Sequence, residues 1–375
     1  MARTRVAVIC GGASAEHEVS LASARNIVAA LDRERFEVFV IGIDKAGVWH
    51  AADADDFAYH PDDPKRIALK ADKAALAVVP GRESGQIVAA DTGEIALEID
   101  VAFPIVHGPT GEDGTLQGIL RAANIACVGA GVLGSAAAMD KDIAKRLLRD
   151  AGLSVALFEV VSPADLPLDH AALTARLGSP LFVKPANLGS SVGVSRAANA
   201  DELADAVDLA LRFDHKVLIE SAVSGREIEC AVLGNTEPAA STVGEVVVAG
   251  GGFYAYDTKY VDDSARVVIP AELDADSIEA VKRVALAAYR ALDCRGLARV
   301  DVFVTPDGHV VVNEINTLPG FTRISMYPKL WAESGIAYPE LVARLVALAI
   351  ERHTADRTLA TSMALGSCTA RTPPG

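Results

Sequence analysis

The sequence predicts an α/β domain followed by two smaller α+β lobes, three units across 375 residues. Three observations carry this expectation. Near the start, apolar runs alternate with helical periodicity, the pattern of a parallel sheet with covering helices. In the middle, short apolar strands surround a loop rich in Gly and Ser. Towards the end, two Val-rich runs flank Asp307-Gly308, a strong hairpin signal. At roughly 150 residues per domain the length exceeds one ordinary core, and the roughly even apolar share supplies buried sheets and their helices.

In order along the chain, Val6 to Ile9 is an apolar run ending in Gly11-Gly12, and a helical pattern follows from Val19 to Leu31. Val38 to Ile43 and Val101 to Val106 read as further strands separated by long connections. These make up the first unit, residues 1–129. A helix from Met139 with Gly152 as its stop opens the second, residues 130–223, with strands at Leu181 to Lys184, Gly193 to Ser195 and Val217 to Glu220. The third, residues 224–352, holds the Gly-rich aromatic segment GGGFYAYDTKY, a helix from Ala275 to Leu292, the hairpin, and a last helix from Pro339 to Arg352. From His353 the periodicity fades into Thr, Ser, Ala and Pro, so residues 353–375 are expected to be a disordered tail.

Composition narrows the function. Asp plus Glu outnumber Lys plus Arg 50 to 35, and a net charge of −15 repels nucleic acid and anionic membrane surfaces. Five scattered cysteines without a C-x-x-C pair suggest neither a disulfide framework nor a zinc site. The start MARTRVAVIC lacks the apolar stretch of a signal peptide, and no run of apolar residues is long enough to span a bilayer, so the expected compartment is the cytoplasm.

In ARVDVFVTPDGHVVVNEIN, taking Asp307 and Gly308 as a two-residue turn places Asp301 opposite Glu314 and Arg299 opposite Asn316, with all four on one face. Two carboxylates so placed repel unless something positive sits between them. Asp301, Glu314 and Asn316 are hard oxygen donors of the kind Mg²⁺ prefers, and Arg299 beside them suits a transferring phosphoryl group. The competing reading is a solvated charged face. A second motif, LFVKPANLGSSVGVS, leads Lys184 into a loop of Gly189, Ser190, Ser191 and Gly193 whose N–H groups and hydroxyls suit phosphates. It matches neither a P-loop nor a dinucleotide fingerprint. Lys141 opens the helix in MDKDIAK, and Glu220 and Glu227 in VLIESAVSGREIE suit an adenine edge and a ribose.

The segments GGASAEHEVS, HGPTGEDGTLQG, MDK, KPANLGSSVG, YDTKY, RVD and NEINTLPGF, in this order, closely resemble the D-alanine:D-alanine ligase family of ATP-grasp enzymes, over about residues 3–350. The resemblance implies the ATP-grasp architecture, an N-terminal αβ domain plus two lobes gripping ATP. It implies that Lys141, Lys184 and Lys259 contact phosphates, that Ser190, Ser191 and Gly193 lie in a loop over them, that Glu220 and Val223 recognise adenine, and that Glu227 holds the ribose. Asp301, Glu314 and Asn316 would hold two Mg²⁺ (or Mn²⁺). Glu16 would bind the first D-alanine in a chain with Ser190 and Tyr260, with His107 nearby. Arg299 and the N–H of Gly320 would form an oxyanion hole, and Ser325 would hold the second D-alanine. Gly250 to Gly252 would hinge a closing loop. A homodimer is implied as well.

Ser221 stands where several family members have Lys, and Leu188 where others are polar. Tyr260 goes with D-alanine as second substrate, ahead of a D-lactate or D-serine ligase. The readings from other classes are a non-catalytic ATP-binding regulatory module and a dehydrogenase built on Gly11-Gly12.

Overall fold

The computed structural model describes residues 2–63, 65–81, 85–248 and 265–360. The N-terminal sheet starts with β1 (Thr4–Gly11), continues through α1 (His17–Ala30) to β2 (Phe36–Ile43), and turns back antiparallel in β3 (Trp49–Ala52). Short strands follow: β4 (Ala58–Tyr59) pairs with β5 (Ala68–Leu69), β6 (Leu76–Val78), β7 (Gly85–Ala89) and β8 (Ile95–Ile99) form a three-stranded antiparallel sheet, and β9 (Val101–Pro104) returns to lie parallel beside β1. After α2 (Thr115–Ala122), β10 (Ala126–Cys127) completes a five-stranded sheet ordered β10-β9-β1-β2-β3. The expected long connections thus hold β3 to β8, each too short to show a period. Gly11 ends β1 at φ +88°, and a Cβ there would lie 2.1 Å from the carbonyl oxygen of Ile43, so only glycine lets β1 close against β2.

Two helices, not one, open the next segment: α3 (Val132–Met139) and α4 (Lys141–Asp150). Asp140 separates them because its carboxylate caps α4, accepting from the N–H groups of Asp142 and Ile143. Both helices bury apolar side chains, Ala138, Ala144 and Leu148, in the core of the C-terminal sheet. The central lobe has its own core on a four-stranded antiparallel sheet. Its strands are β11 (Phe158–Val161), β12 (Leu181–Pro185), β13 (Ser195–Ala197) and β14 (Val217–Ser221), covered by α5 (His170–Leu177) and α6 (Ala200–Ala210). The expected strand at Gly193 begins later because Gly193 sits at φ +72° in the loop.

The C-terminal sheet is antiparallel, in the order β17-β16-β15-β18-β19. It comprises β15 (Arg226–Gly234), β16 (Ala239–Val248), β17 (Ala265–Val268), β18 (Gly296–Val304) and β19 (Val310–Asn316). One face packs on α7 (Ala275–Ala291); the other meets α8 (Met326–Glu333) and α9 (Tyr338–Arg357). That second face shares a single core with the N-terminal domain, in which Phe103 stacks edge-on against Phe321. The last helix runs on through Arg357 instead of stopping at Arg352, and Arg352 donates to the carbonyls of Cys127 and Gly129 at 2.8 and 2.5 Å. Two α+β lobes after an αβ domain is the expected architecture. Lys259, Tyr260, the glycines 250–252 and residues 361–375 lie outside the described residues, and no described helix is long and apolar enough to cross a membrane.

Candidate active site

Strand alternation in the central sheet sorts its side chains. Leu181, Val183, Val217 and Ile219 face the helices, so Lys184 and Glu220 emerge on the opposite face. There the Glu220 carboxylate joins two ammonium groups, Lys184 Nζ at 2.7 Å and Lys145 Nζ at 3.2 Å. Lys145 comes from α4, one turn beyond Lys141. Burial raises the Glu220 carboxyl, but the two lysines outweigh burial and hold it below the usual carboxylate range. Burial lowers the Lys145 ammonium, with Glu220 opposing.

In the C-terminal sheet, Val300, Val302 and Val304 of β18 face α7, which turns Arg299 and Asp301 to the other side. Asp301 pairs with Glu314 and Arg299 with Asn316, as expected. The route to that register differs from the two-residue turn. Thr305 closes on His309 around a three-residue loop in which Gly308 takes φ +79°, and a bulge at Asn313 then adds one residue to β19. Without the bulge, Glu314 would point with Val310 and Val312 into the core; with it, Ile315 points inward and Glu314 outward.

Glu229 on β15 is the other cross-strand partner of Asp301. Three carboxylates therefore stand in a row, Glu229, Asp301 and Glu314. Arg299 neutralises two of them: Nε and Nη2 donate to the two oxygens of Asp301 at 2.7 Å each, and Nε lies 3.0 Å from Glu229. Burial lowers the Arg299 guanidinium, but Asp301 and Glu229 raise it further, well above the ordinary arginine value. Lys141 Nζ sits 3.9 Å from Glu314 and donates to the Leu188 carbonyl at 2.5 Å, which ties α4 to the serine loop. Among the described residues, no trio of His, Cys, Asp or Glu is arranged to hold a metal, so a cation here would need the Asn316 amide oxygen and oxygens from a ligand.

A cavity of about 710 Å³ opens where the three lobes meet. Glu16, His107 and Glu112 line it from the N-terminal domain, Lys141 and Ser190 from the middle of the chain, and Arg299, Glu314, Asn316, Gly320 and Ser325 from the C-terminal lobe. Ser190 and Ser191 adopt φ +53° and +58°, a conformation that costs L residues energy and bends the loop towards Glu16. His107 is buried with Nε2 unpartnered among the described residues, and burial keeps its imidazole below the usual value. Gly320 approaches Ser325 so closely that a Cβ would meet the hydroxyl at 2.9 Å. That hydroxyl accepts from the Thr322 N–H, just ahead of α8.

Most expected residues thus converge. Lys184, Ser191, Gly193, Glu220, Val223, Glu227 and Asp301 do not line this cavity; Val223 follows β14, Glu227 is the second residue of β15, and Asp301 lies beside Arg299 on β18. Lys145, Glu229 and Glu112 were not anticipated. Lys145 repeats Lys141 at a four-residue spacing, and Glu229 repeats Glu227 at the strand period; these were the available signals.

Two family models, described as the D-ala D-ala ligase N-terminus and C-terminus, match residues 5–130 and 147–347. The chain is 56% identical over 365 residues to D-alanine--D-alanine ligase A of Salmonella typhimurium, covering 97% of this chain and 100% of that protein. It is 55% identical over 365 residues to the enzyme of the same name from Escherichia coli K12, with the same coverage. The solved D-alanine-D-alanine ligase from Coxiella burnetii superposes with a TM-score of 0.81 at 36% identity, covering 95% of this chain and 96% of that one. With both family models matched and identity above one half along nearly its whole length, the chain belongs to the D-alanine:D-alanine ligase family, ATP-using ligases of ATP-grasp architecture.

Proposed function

We propose that the protein joins two D-alanine molecules at the expense of ATP, through a D-alanyl phosphate, as a cytoplasmic homodimer supplying cell-wall precursor synthesis. The observation that carries the reading is the shared cavity, in which Glu16 and His107 of the first domain meet Lys141, Arg299 and Glu314 of the others. Family membership supplies the substrates.

A carboxylate is a poor electrophile, so the terminal phosphoryl group of ATP is first transferred to the carboxylate of one D-alanine. Glu16 holds that molecule's ammonium group, with Ser190 and Tyr260 in the same chain and His107 alongside. Lys141, Lys184 and Lys259 compensate phosphate charge, and Ser191 and Gly193 belong to the loop above the phosphates. Glu220 and Val223 recognise adenine and Glu227 the ribose. Asp301, Glu314 and Asn316 fit two divalent cations, Mg²⁺ or Mn²⁺. In this structure, cationic side chains already balance the cross-strand carboxylates, Arg299 on Asp301 and Lys141 near Glu314. When bound, the metals supply charge neutralisation at the phosphates.

The amine of the second D-alanine, its carboxylate held by Ser325 and the start of α8, attacks the acyl carbon, and phosphate leaves. Arg299, whose Nε and Nη2 are engaged by carboxylates, keeps Nη1 for the oxygen that becomes negative, together with the Gly320 N–H. The test incubates purified protein with ATP, Mg²⁺ and D-alanine, with D-lactate and D-serine in competition. Phosphate release with D-alanyl-D-alanine as the main product is expected; no release above the amino-acid-free control, or a dominant ester or D-serine product, overturns the reading.

A further inference from the structure

We infer that Lys145 is a positioning residue of the nucleotide pocket, which shares the Glu220 carboxylate with Lys184 and so keeps the Lys184 ammonium available to the phosphates of ATP. The inference rests on the ligase reading above and adds a residue to it.

Lys145 is among the largest fully buried side chains of the protein, at 1% exposure. Burying an ammonium group is costly unless a partner compensates it, so a lysine in such a place needs a reason. Its carboxylate partner is Glu220, 3.2 Å away, and its ammonium also lies 5.9 Å from the centre of the Phe158 ring. Both Lys145 Nζ and Glu220 Oε1 lack a well-aligned hydrogen bond in the described structure. The second carboxylate oxygen, Oε2, holds Lys184 at 2.7 Å.

The charge count gives the arrangement its meaning. Two lysines share one carboxylate, so the group carries one net positive charge. Were Lys145 absent, Glu220 would neutralise Lys184 one to one, and a phosphate approaching Lys184 would compete with a buried counter-ion of full strength. The placement reinforces this. Lys145 rides on α4, which packs on the C-terminal sheet, whereas Glu220 and Lys184 belong to the central sheet. Lys141, four residues earlier on the same helix, reaches both Glu314 and the serine loop carbonyl of Leu188. One helix therefore delivers two ammonium groups to the two lobes that grip the nucleotide.

Packing and charge roles separate experimentally. Lys145→Met keeps the volume and removes the charge, and Glu220→Gln keeps an acceptor for adenine and removes the opposing charge. Equilibrium dissociation constants are measured for ATP and for adenosine, which lacks phosphates, after thermal melts verify folding. The inference expects Lys145→Met to weaken ATP about tenfold or more and to leave adenosine within a factor of about two. Adding Glu220→Gln to Lys145→Met restores the net charge and should recover most of the ATP affinity. Equal loss for ATP and adenosine, unchanged ATP binding, or a double variant no better than the single one overturns the inference. If Lys145→Met does not fold, Glu220→Gln alone, with one more net positive charge, should tighten ATP but not adenosine; the reverse overturns the inference. Wild-type protein without D-alanine-dependent phosphate release would instead overturn the ligase reading.

Discussion

Arg299→Met tests the electrostatics of the carboxylate row. The wild-type guanidinium makes two 2.7 Å hydrogen bonds to Asp301 and lies 3.0 Å from Glu229, and the three side chains are largely buried. Asp301 and Glu229 are direct cross-strand partners, and Glu314 is next in line. Removing the cation leaves two buried carboxylates facing each other, while Lys141 lies 3.9 Å from Glu314, the third of the row. Breaking a buried ion pair from one side costs about 3–5 kcal/mol. At about 2–4 °C per kcal/mol for a domain of this size, the melting temperature should fall by roughly 10 °C. Urea denaturation of ligand-free protein measures the first figure and calorimetry the second. Arg299→Lys, which restores charge without the planar fork, should recover part of the stability but little of the ligase rate. A loss below about 1 kcal/mol for the Met variant would refute the claim that Arg299 holds the row together.

Two further outcomes follow from other parts of the site. Burial, and to a lesser extent Glu16, pushes the Glu112 carboxyl from 4.5 up to about 8, although it accepts a 2.6 Å hydrogen bond from the Gly108 N–H. The folded chain therefore keeps a proton that the unfolded chain has already lost, and this contribution to stability, complete below pH 4.5, disappears as pH rises through 8. Glu112→Gln cannot lose that proton, so its stability relative to wild type should rise by about 2–4 kcal/mol across that window; urea titrations giving a flat difference would refute it. Asp140→Ala removes the cap of α4 and the partner of Lys216 at 2.6 Å. It should cost about 1–2 kcal/mol and raise KM for ATP more than KM for D-alanine, since α4 carries Lys141 and Lys145; equal KM changes would count against that route.

The sequence made Asp301, Glu314, Arg299 and Asn316 legible as a group, yet through two errors that cancel. The turn is one residue longer than Asp307-Gly308 suggested, and the bulge at Asn313 restores the pairing. Neither is visible from alternation, because a bulge is a local departure from the period on which alternation depends. Lys145 and Glu229 stayed hidden for a different reason. A charged residue on a helix or strand defaults to solvent, and only the distant strands that bring Glu220 and Asp301 alongside reverse that default. The apolar runs located the main strands because their burial is continuous. The strands between β2 and β9 escaped because so few residues leave no pattern to read.

The shared core of the first and last lobes has a mechanical corollary. Phe103, Phe321, Tyr327 and Leu341 weld these parts along an oily seam, and Arg352 rivets it from the last helix. Where α4 meets the central sheet, the seam is ionic instead: Lys145 with Glu220, and Lys216 with Asp140 and Asp142. Parting an oily seam exposes hydrocarbon, whereas ions can exchange partners with water and salt. The two joints therefore differ in what it costs to part them, and the ionic one, between α4 and the central sheet, is the one that water and salt can loosen.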